Sequence, residues 1–171
     1  MDFNDLVATR AQLFDSEEIL RIQAEGDAWN SSKGFLPLAF RYSPKERKEF
    51  LNRHISESEI YLFKHKVEAV GLVRLQWNDP VFWGEAGWDP LAGYVHGLTI
   101  GSSWHGLGLG SWILSWAEAR IRSQGMTCCR LDCMKENLGL CRYYETRGFE
   151  ERGLVKLGNG WISKRYQKLI G

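Results

Sequence analysis

The stretch "LTIGSSWHGLGLGSWIL", Leu98 to Leu114, decides how this chain is read. It passes from an apolar run, through Gly106, Gly108 and Gly110, into a segment with helical spacing. Glycine costs backbone entropy, so its repeated use before a helix needs a reason, either an unusual conformation or an approach that a side chain would block. Strand, glycine loop and helix make a concavity of backbone N–H groups, to which the helix N-terminus adds about half a positive charge. From the residues alone, the loop either packs a helix tightly onto a sheet or holds an anion. Two anion classes fit poorly. A nucleotide phosphate loop ends in Gly-Lys-Ser/Thr, whereas this one ends Gly110-Ser111-Trp112. A dinucleotide fold takes GxGxxG after its first strand, with an acid about 20 residues on. Asp132 lies near that distance, but the spacing is GxGxG and too little chain follows for a doubly wound sheet.

Working outward, residues 94–100 read as the strand that feeds the loop, and the helix behind it runs to residue 124. There Leu114, Ala117 and Ile121 make an apolar stripe, with Ser111, Ser115, Glu118 and Arg122 opposite. Gly125 is a fitting stop. Beyond it come a strand over residues 128–134, a helix over 138–147, and closing strands over 149–157 and 161–169. On the other side, residues 6–14 read as a strand. A helix capped by Asp15 or Ser16 runs to Glu25 and is closed by Gly26. "NSSKGFLPLAF" is loop-like, and Ser43-Pro44 starts a second, largely exposed helix. Residues 59–65 and 67–77 read as a hairpin, and the second of them alternates with period two. "NDPVFWGEAGWDPLAG" is a long loop, and long loops in compact domains are often functional. The expected fold class is therefore α/β (α+β), a mixed and mostly antiparallel sheet of about seven strands flanked by about four helices, in one domain spanning the chain.

Composition narrows the function classes. Among 171 residues, hydrophobic content is 44%, charged content 25% and net charge +1. That balance leaves no electrostatic footprint for nucleic acid or an anionic membrane. No apolar run reaches the ~18 residues that span a bilayer. The acidic "MDFNDLVATR" start does not read as a signal peptide. Cys128, Cys129, Cys133 and Cys141 form no CxxC pair and no zinc spacing. They read as small buried hydrophobes in a reducing, cytoplasmic setting.

The opening stretch resembles the coenzyme A-binding motif of the GNAT superfamily of N-acetyltransferases, a strand followed by Arg/Gln-x-x-Gly-x-Gly/Ala opening a helix. His105 to Gly110 fill its six positions, with His105 where the family has Arg or Gln. A second stretch, "NLGLCRYYETRGFEERG", resembles the later motif Asn-x-x-Ala-x-x-x-Tyr-x-x-x-Gly-Phe. Asn137, Tyr144, Gly148 and Phe149 fill it, and Leu140 replaces the alanine. "CRLDCMKEN" before it is also typical of the family. The resemblance implies a GNAT fold and an acetyl-CoA-dependent N-acetyltransferase working by direct attack in a ternary complex, with acetyl-CoA as acyl donor and no metal. Its acceptor would be a primary amine, here of a small molecule. The alternatives are a peptide or protein amine, or a non-catalytic acyl-CoA-binding module. Sheet-edge homodimers are common in the family.

Acetyl transfer needs a deprotonated amine, a donor for the developing oxyanion, and a proton for the departing thiolate, whose reference pKa is about 8.5. The resemblance places the oxyanion donor on the backbone N–H of Leu98, with Ile100 against the pantetheine arm. It places the backbone of His105, Gly106, Gly108 and Gly110, with Ser111, on the diphosphate, weaker or pH-sensitive in its anchoring because of His105. Asn137 joins the cofactor contacts. Tyr144 is the leaving-group acid and also a cofactor contact. A bulge before Leu98 would free ladder donors, and Gly97 would ease it. His96 lies two residues before Leu98, on its face if the alternation holds, and a reference pKa near 6.5 suits a base. Its position resembles one of two alternating histidines in arylalkylamine-type members, with Tyr94 in the other place. The acceptor site is expected in the loop between the first two helices and in "WNDPVFWGEAGWDP". Trp77, Phe82, Trp83 and Trp88 offer apolar and cation-binding faces there, Asp79, Glu85 and Asp89 offer carboxylates for an ammonium, and Tyr94 joins the substrate-binding residues.

Overall fold

A computed structural model describes residues 3, 5–35, 43–158 and 160–171. In chain order the elements are β1 (Leu6–Arg10), α1 (Ser16–Ser32), α2 (Pro44–Glu57), β2 (Glu59–His65), β3 (Glu68–Gln76), α3 (Pro80–Trp83), β4 (Ala92–Ile100), α4 (Leu109–Ser123), β5 (Cys128–Met134), α5 (Leu138–Glu145), β6 (Glu150–Lys156) and β7 (Ile162–Leu169). The strands form one seven-stranded sheet in the order β1-β2-β3-β4-β5-β7-β6. β4 pairs with β5 in parallel, while β1 with β2, β5 with β7 and β6 with β7 are antiparallel. This is the mixed sheet expected. The extra helix is α3, a single turn inside the segment read as loop, followed by a 3-10 turn over Gly84–Trp88.

The chain packs as two compact units, Met1–Arg74 with Gly97–Ser115, and Leu75–His96 with Trp116–Gly171. In the first, the buried side chains of Ile19 and Ile22 from α1, Leu51 from α2, Ile60 and Leu62 from β2, and Ala69 and Leu72 from β3 make the core. Arg21 Nη2 donates to the Ala69 carbonyl at 2.8 Å, and Glu18 Oε1 accepts the Ala69 N–H at 3.1 Å, fixing α1 to β3. α1 does not stop at Gly26 but continues to Ser32. Gly26 is a packing residue. A Cβ there would lie 2.5 Å from Thr99 Cγ2, so glycine lets α1 pass close to β4. β1 is shorter than read, because Leu13–Asp15 form a 3-10 turn leading into α1. α2 starts as its sequence indicates. Ser43 Oγ accepts the Glu46 N–H, Glu46 accepts the Ser43 N–H, and Pro44 occupies the first turn. Of the stretch read as loop, residues 30–32 belong to α1 and 36–40 lie outside the described residues.

In the second unit, β5 and β7 pair from Cys128↔Leu169 to Met134↔Ser163. Trp83, Ala92, Tyr94 and Cys128 form a buried cluster. Ile121 of α4 packs on bare Gly93, where a Cβ would sit 2.7 Å from it. Glu118, read as part of the polar face of α4, is buried, and both its oxygens accept from Lys168 Nζ at 2.8 and 2.9 Å. All four cysteines are free and buried.

Candidate active site

β4 carries the first half of the site. Its parallel register with β5 runs from Ala92↔Cys128 to Val95↔Leu131. Two residues later Gly97 takes φ 56°, in the left-handed region that favours glycine. The period-two argument that put His96 and Leu98 on one face therefore stops at Gly97. Leu98 and Ile100 are half-buried. Just past the end of the strand, the Gly101 N–H donates to the Val70 carbonyl at 2.8 Å. Ser102–Trp104 then form a 3-10 turn, whose Ser102 N–H donates to Glu25 Oε2 at 2.7 Å. That bond is the main reason the Glu25 carboxyl sits below its usual range, with Arg21 helping.

Gly106 and Gly108 are exposed with φ 77° and 89°. Among the described residues, chain neighbours apart, no atom comes within 4 Å of where a Cβ would stand at Gly106, and at Gly108 the nearest is a Phe3 ring atom at 3.9 Å. α4 begins at Leu109 with no acidic residue in its first turn. The first N–H groups of a helix lack intrahelical partners. Exposed left-handed glycines, open space and a helix start without acids fit a diphosphate. His105 stands where the resemblance has Arg or Gln. Its ring stacks on Trp29 of α1, centroids 4.1 Å apart and planes 13° from parallel. Burial pushes its pKa below the ordinary histidine value, opposed by a hydrogen bond to the Ile100 backbone and by Glu25.

The second unit holds a polar cluster under the "WNDPVFWGEAGWDP" segment. His96 is buried, with Nε2 3.3 Å from Asp79 Oδ2 and Nδ1 3.6 Å from Asp132 Oδ1. The Asp79 approach is close but badly angled, and among the described residues neither His96 Nε2 nor Asp79 Oδ2 has a hydrogen-bond partner. Asp79 Oδ1 accepts the Phe82 N–H at 3.3 Å, which caps α3 and fixes the carboxyl. Arg130 ties the segment to the sheet. Its Nη1 donates to the Ala86 carbonyl at 2.6 Å and to the Tyr94 hydroxyl at 3.0 Å, its Nη2 to Asp89 Oδ2 at 2.8 Å, and its Nε to Gln167 Oε1 at 2.9 Å. The guanidinium lies 4.8 Å from the Trp83 ring.

Trp83 and Tyr94 are thus buried parts of this knot, and burial raises the Tyr94 phenol. Glu85 and Trp88 lie on the outside, Trp88 being 64% exposed. On α5, Asn137 Oδ1 accepts the Leu140 N–H at 3.0 Å and so caps the helix. Tyr144 is buried against Phe149 and Tyr166, and burial lifts its phenol far above the usual range. A raised phenol stays protonated near neutral pH. Residue reading missed Arg130 and Asp132 as site residues. Their signal was present, since polar residues alternate inside the otherwise apolar "CRLDC" strand. Among the described residues, no cluster of three or more His, Cys, Asp or Glu side chains is arranged to hold a metal ion, and no helix is long and apolar enough to cross a membrane.

Residues 25–149 match the Acetyltransferase (GNAT) family. The chain belongs to the GNAT acetyltransferase family. It is 32% identical over 104 residues to the uncharacterized N-acetyltransferase YesJ of Bacillus subtilis (strain 168), a match spanning 58% of this chain and 57% of that relative. The chain therefore spans a little over half the length of this curated relative. Its fold is that of a GNAT acetyltransferase of Listeria monocytogenes 4b F2365, with TM-score 0.77 and 21% identity over 96% of this chain and 94% of the other. The PaiA N-acetyltransferase of Thermoplasma acidophilum, solved in complex with coenzyme A, gives TM-score 0.66 and 15% identity over 96% and 98% of the two chains. At these identities the structural likeness concerns the GNAT fold alone.

Proposed function

We propose that this GNAT chain moves an acetyl group from acetyl-CoA to the primary amine of a small molecule, by direct attack in a ternary complex. The observation that carries the reading is the course of the backbone from Gly97 to Leu109. A left-handed glycine precedes Leu98, and two exposed left-handed glycines precede α4. Membership of the family and the coenzyme A complex of the PaiA neighbour support the choice of acyl donor.

When bound, acetyl-CoA supplies an activated thioester. The backbone of Gly106 to Gly110 and the start of α4, with Ser111, bind the diphosphate, and Ile100 lies along the pantetheine. His105 contributes its main chain there, because its ring is committed to Trp29. The Leu98 N–H donates to the acetyl oxygen, where negative charge develops. His96, held among carboxylates, draws the proton from the acceptor ammonium, which cannot attack while charged. Tyr144 donates to the departing sulfur. Trp88 and Glu85 form the outer rim of the acceptor site over Trp83 and Tyr94. Asn137 shapes the cofactor wall through α5. The protein acts in the cytoplasm, and a homodimer joined at sheet edges is its assembly.

The test is calorimetric titration with coenzyme A, followed by thiol release from acetyl-CoA over a panel of amines. Micromolar binding and amine-dependent release are expected. Binding without release over amines, peptides and aminoglycosides would reduce the chain to an acyl-CoA-binding module. Absence of binding removes the whole scheme.

A further inference from the structure

We infer that the acceptor carries an oxyanion, a carboxylate or phosphate, in addition to its amine, and that Arg165 receives it. The inference rests on the acetyl-transfer reading and narrows its substrate class. In the antiparallel pair β5–β7, Arg130 stands opposite Gln167 and Asp132 opposite Arg165, so these four share one face. The two arginines have opposite fates. Arg130 donates to four acceptors, as described above. Arg165 has a buried Nε without a hydrogen-bond partner, and among the described residues it enters no ion pair. Its guanidinium carbon lies 5.4 Å from the Trp83 ring centroid, so an aromatic face supports it from one side. On another side lies Gly153 of β6, where a Cβ would stand 3.5 Å from Nη2.

Opposite charges placed directly across two antiparallel strands ordinarily pair. Here Asp132 instead approaches His96 Nδ1, with Asp79 against the other ring nitrogen. One rung of the sheet thus presents a carboxylate and imidazole suited to an ammonium, beside a cation without an internal anion. A buried donor without a partner is destabilising unless something satisfies it. The forked, permanently charged guanidinium matches a carboxylate or phosphate in two-point geometry. A ligand with an amine and an oxyanion answers both halves of the rung.

Thiol release is measured for the common amino acids, their methyl esters, and phosphoethanolamine beside ethanolamine. The anionic member of the best pair is expected to exceed its neutral partner by about tenfold or more in kcat/KM, the size of a charge-assisted hydrogen bond. The two sets distinguish a carboxylate from a phosphate. Arg165→Gln should raise KM for the anionic acceptor about tenfold, leave the neutral partner unchanged, and be partly restored in Arg165→Lys. Equal rates for acid and ester in the unaltered chain overturn the inference without any variant, whether or not Arg165→Gln folds. They leave acetyl transfer intact. If no acceptor releases thiol, acetyl transfer itself fails. The subsite is then read from the melting temperature with coenzyme A present. A rise with an acid but not its ester, lost in Arg165→Gln, upholds the site, and no rise overturns it.

Discussion

Replacing Gly26 by alanine tests whether α1 is held against β4 at contact distance. In a helix interior alanine is better than glycine by about 1 kcal/mol, so on propensity alone Gly26→Ala stabilises. The new Cβ, however, would sit 2.5 Å from Thr99 Cγ2, roughly an ångström inside ordinary carbon contact. Overpacking of this kind costs about 1–3 kcal/mol. The expected net result is a loss of about 1 kcal/mol. The offending atom is known, because Thr99 Cβ and Oγ1 lie at 3.8 and 3.9 Å, which is ordinary contact. Thr99→Ser removes only the methyl group. In that background Gly26→Ala should gain about 1 kcal/mol, a coupling of about 2 kcal/mol between the two sites and far above the scatter of additive pairs. Urea denaturation of the four proteins measures it. Since Thr99 lies between Leu98 and Ile100, the single variant should also weaken coenzyme A binding and the double variant recover it. An equal gain from Gly26→Ala in both backgrounds would refute the close approach.

Four further outcomes follow from the site. His105 is depressed below its ordinary value by burial, so its stabilising effect is complete above the unfolded histidine value of about 6.5 and declines as pH falls from there toward the folded value. Melting temperature against pH should show that decline, and His105→Gln should flatten it. Gly108→Ala places a side chain at φ 89°, a strain of about 1–2 kcal/mol, and coenzyme A affinity by calorimetry should fall about tenfold. Arg130→Met leaves Asp89 and Gln167 without this donor and should cost about 3 kcal/mol of stability by urea denaturation. Tyr144→Phe keeps the buried ring and should lower kcat by about 100-fold at unchanged melting temperature.

Regular elements were legible in the sequence because each rests on a local signal. The Ser43-Pro44 start of α2 and the strands β3 and β5 stand where those signals put them, although β3 is buried without alternation from Ala69 to Val73. Boundaries moved where tertiary contact overrides local preference. Gly26 reads as a stop only until Thr99 is known to lie against it. The glycine loop was visible because a backbone device is written in residue type. The cluster around His96 was not, since Asp79 and Asp132 come from segments separated by more than fifty residues. Trp83 and Tyr94 look like recognition aromatics in sequence, and only the fold reveals that Arg130 holds them.

The Arg130 knot also governs how this protein can change. Because the segment beneath Glu85 and Trp88 is fastened from the sheet side by Arg130 and the Tyr94 hydroxyl, its outer residues can be exchanged without reorganising the floor. On the proposed acetyl-transfer reading, new acceptor preferences would therefore arise by substitution at the rim alone, with little penalty to folding.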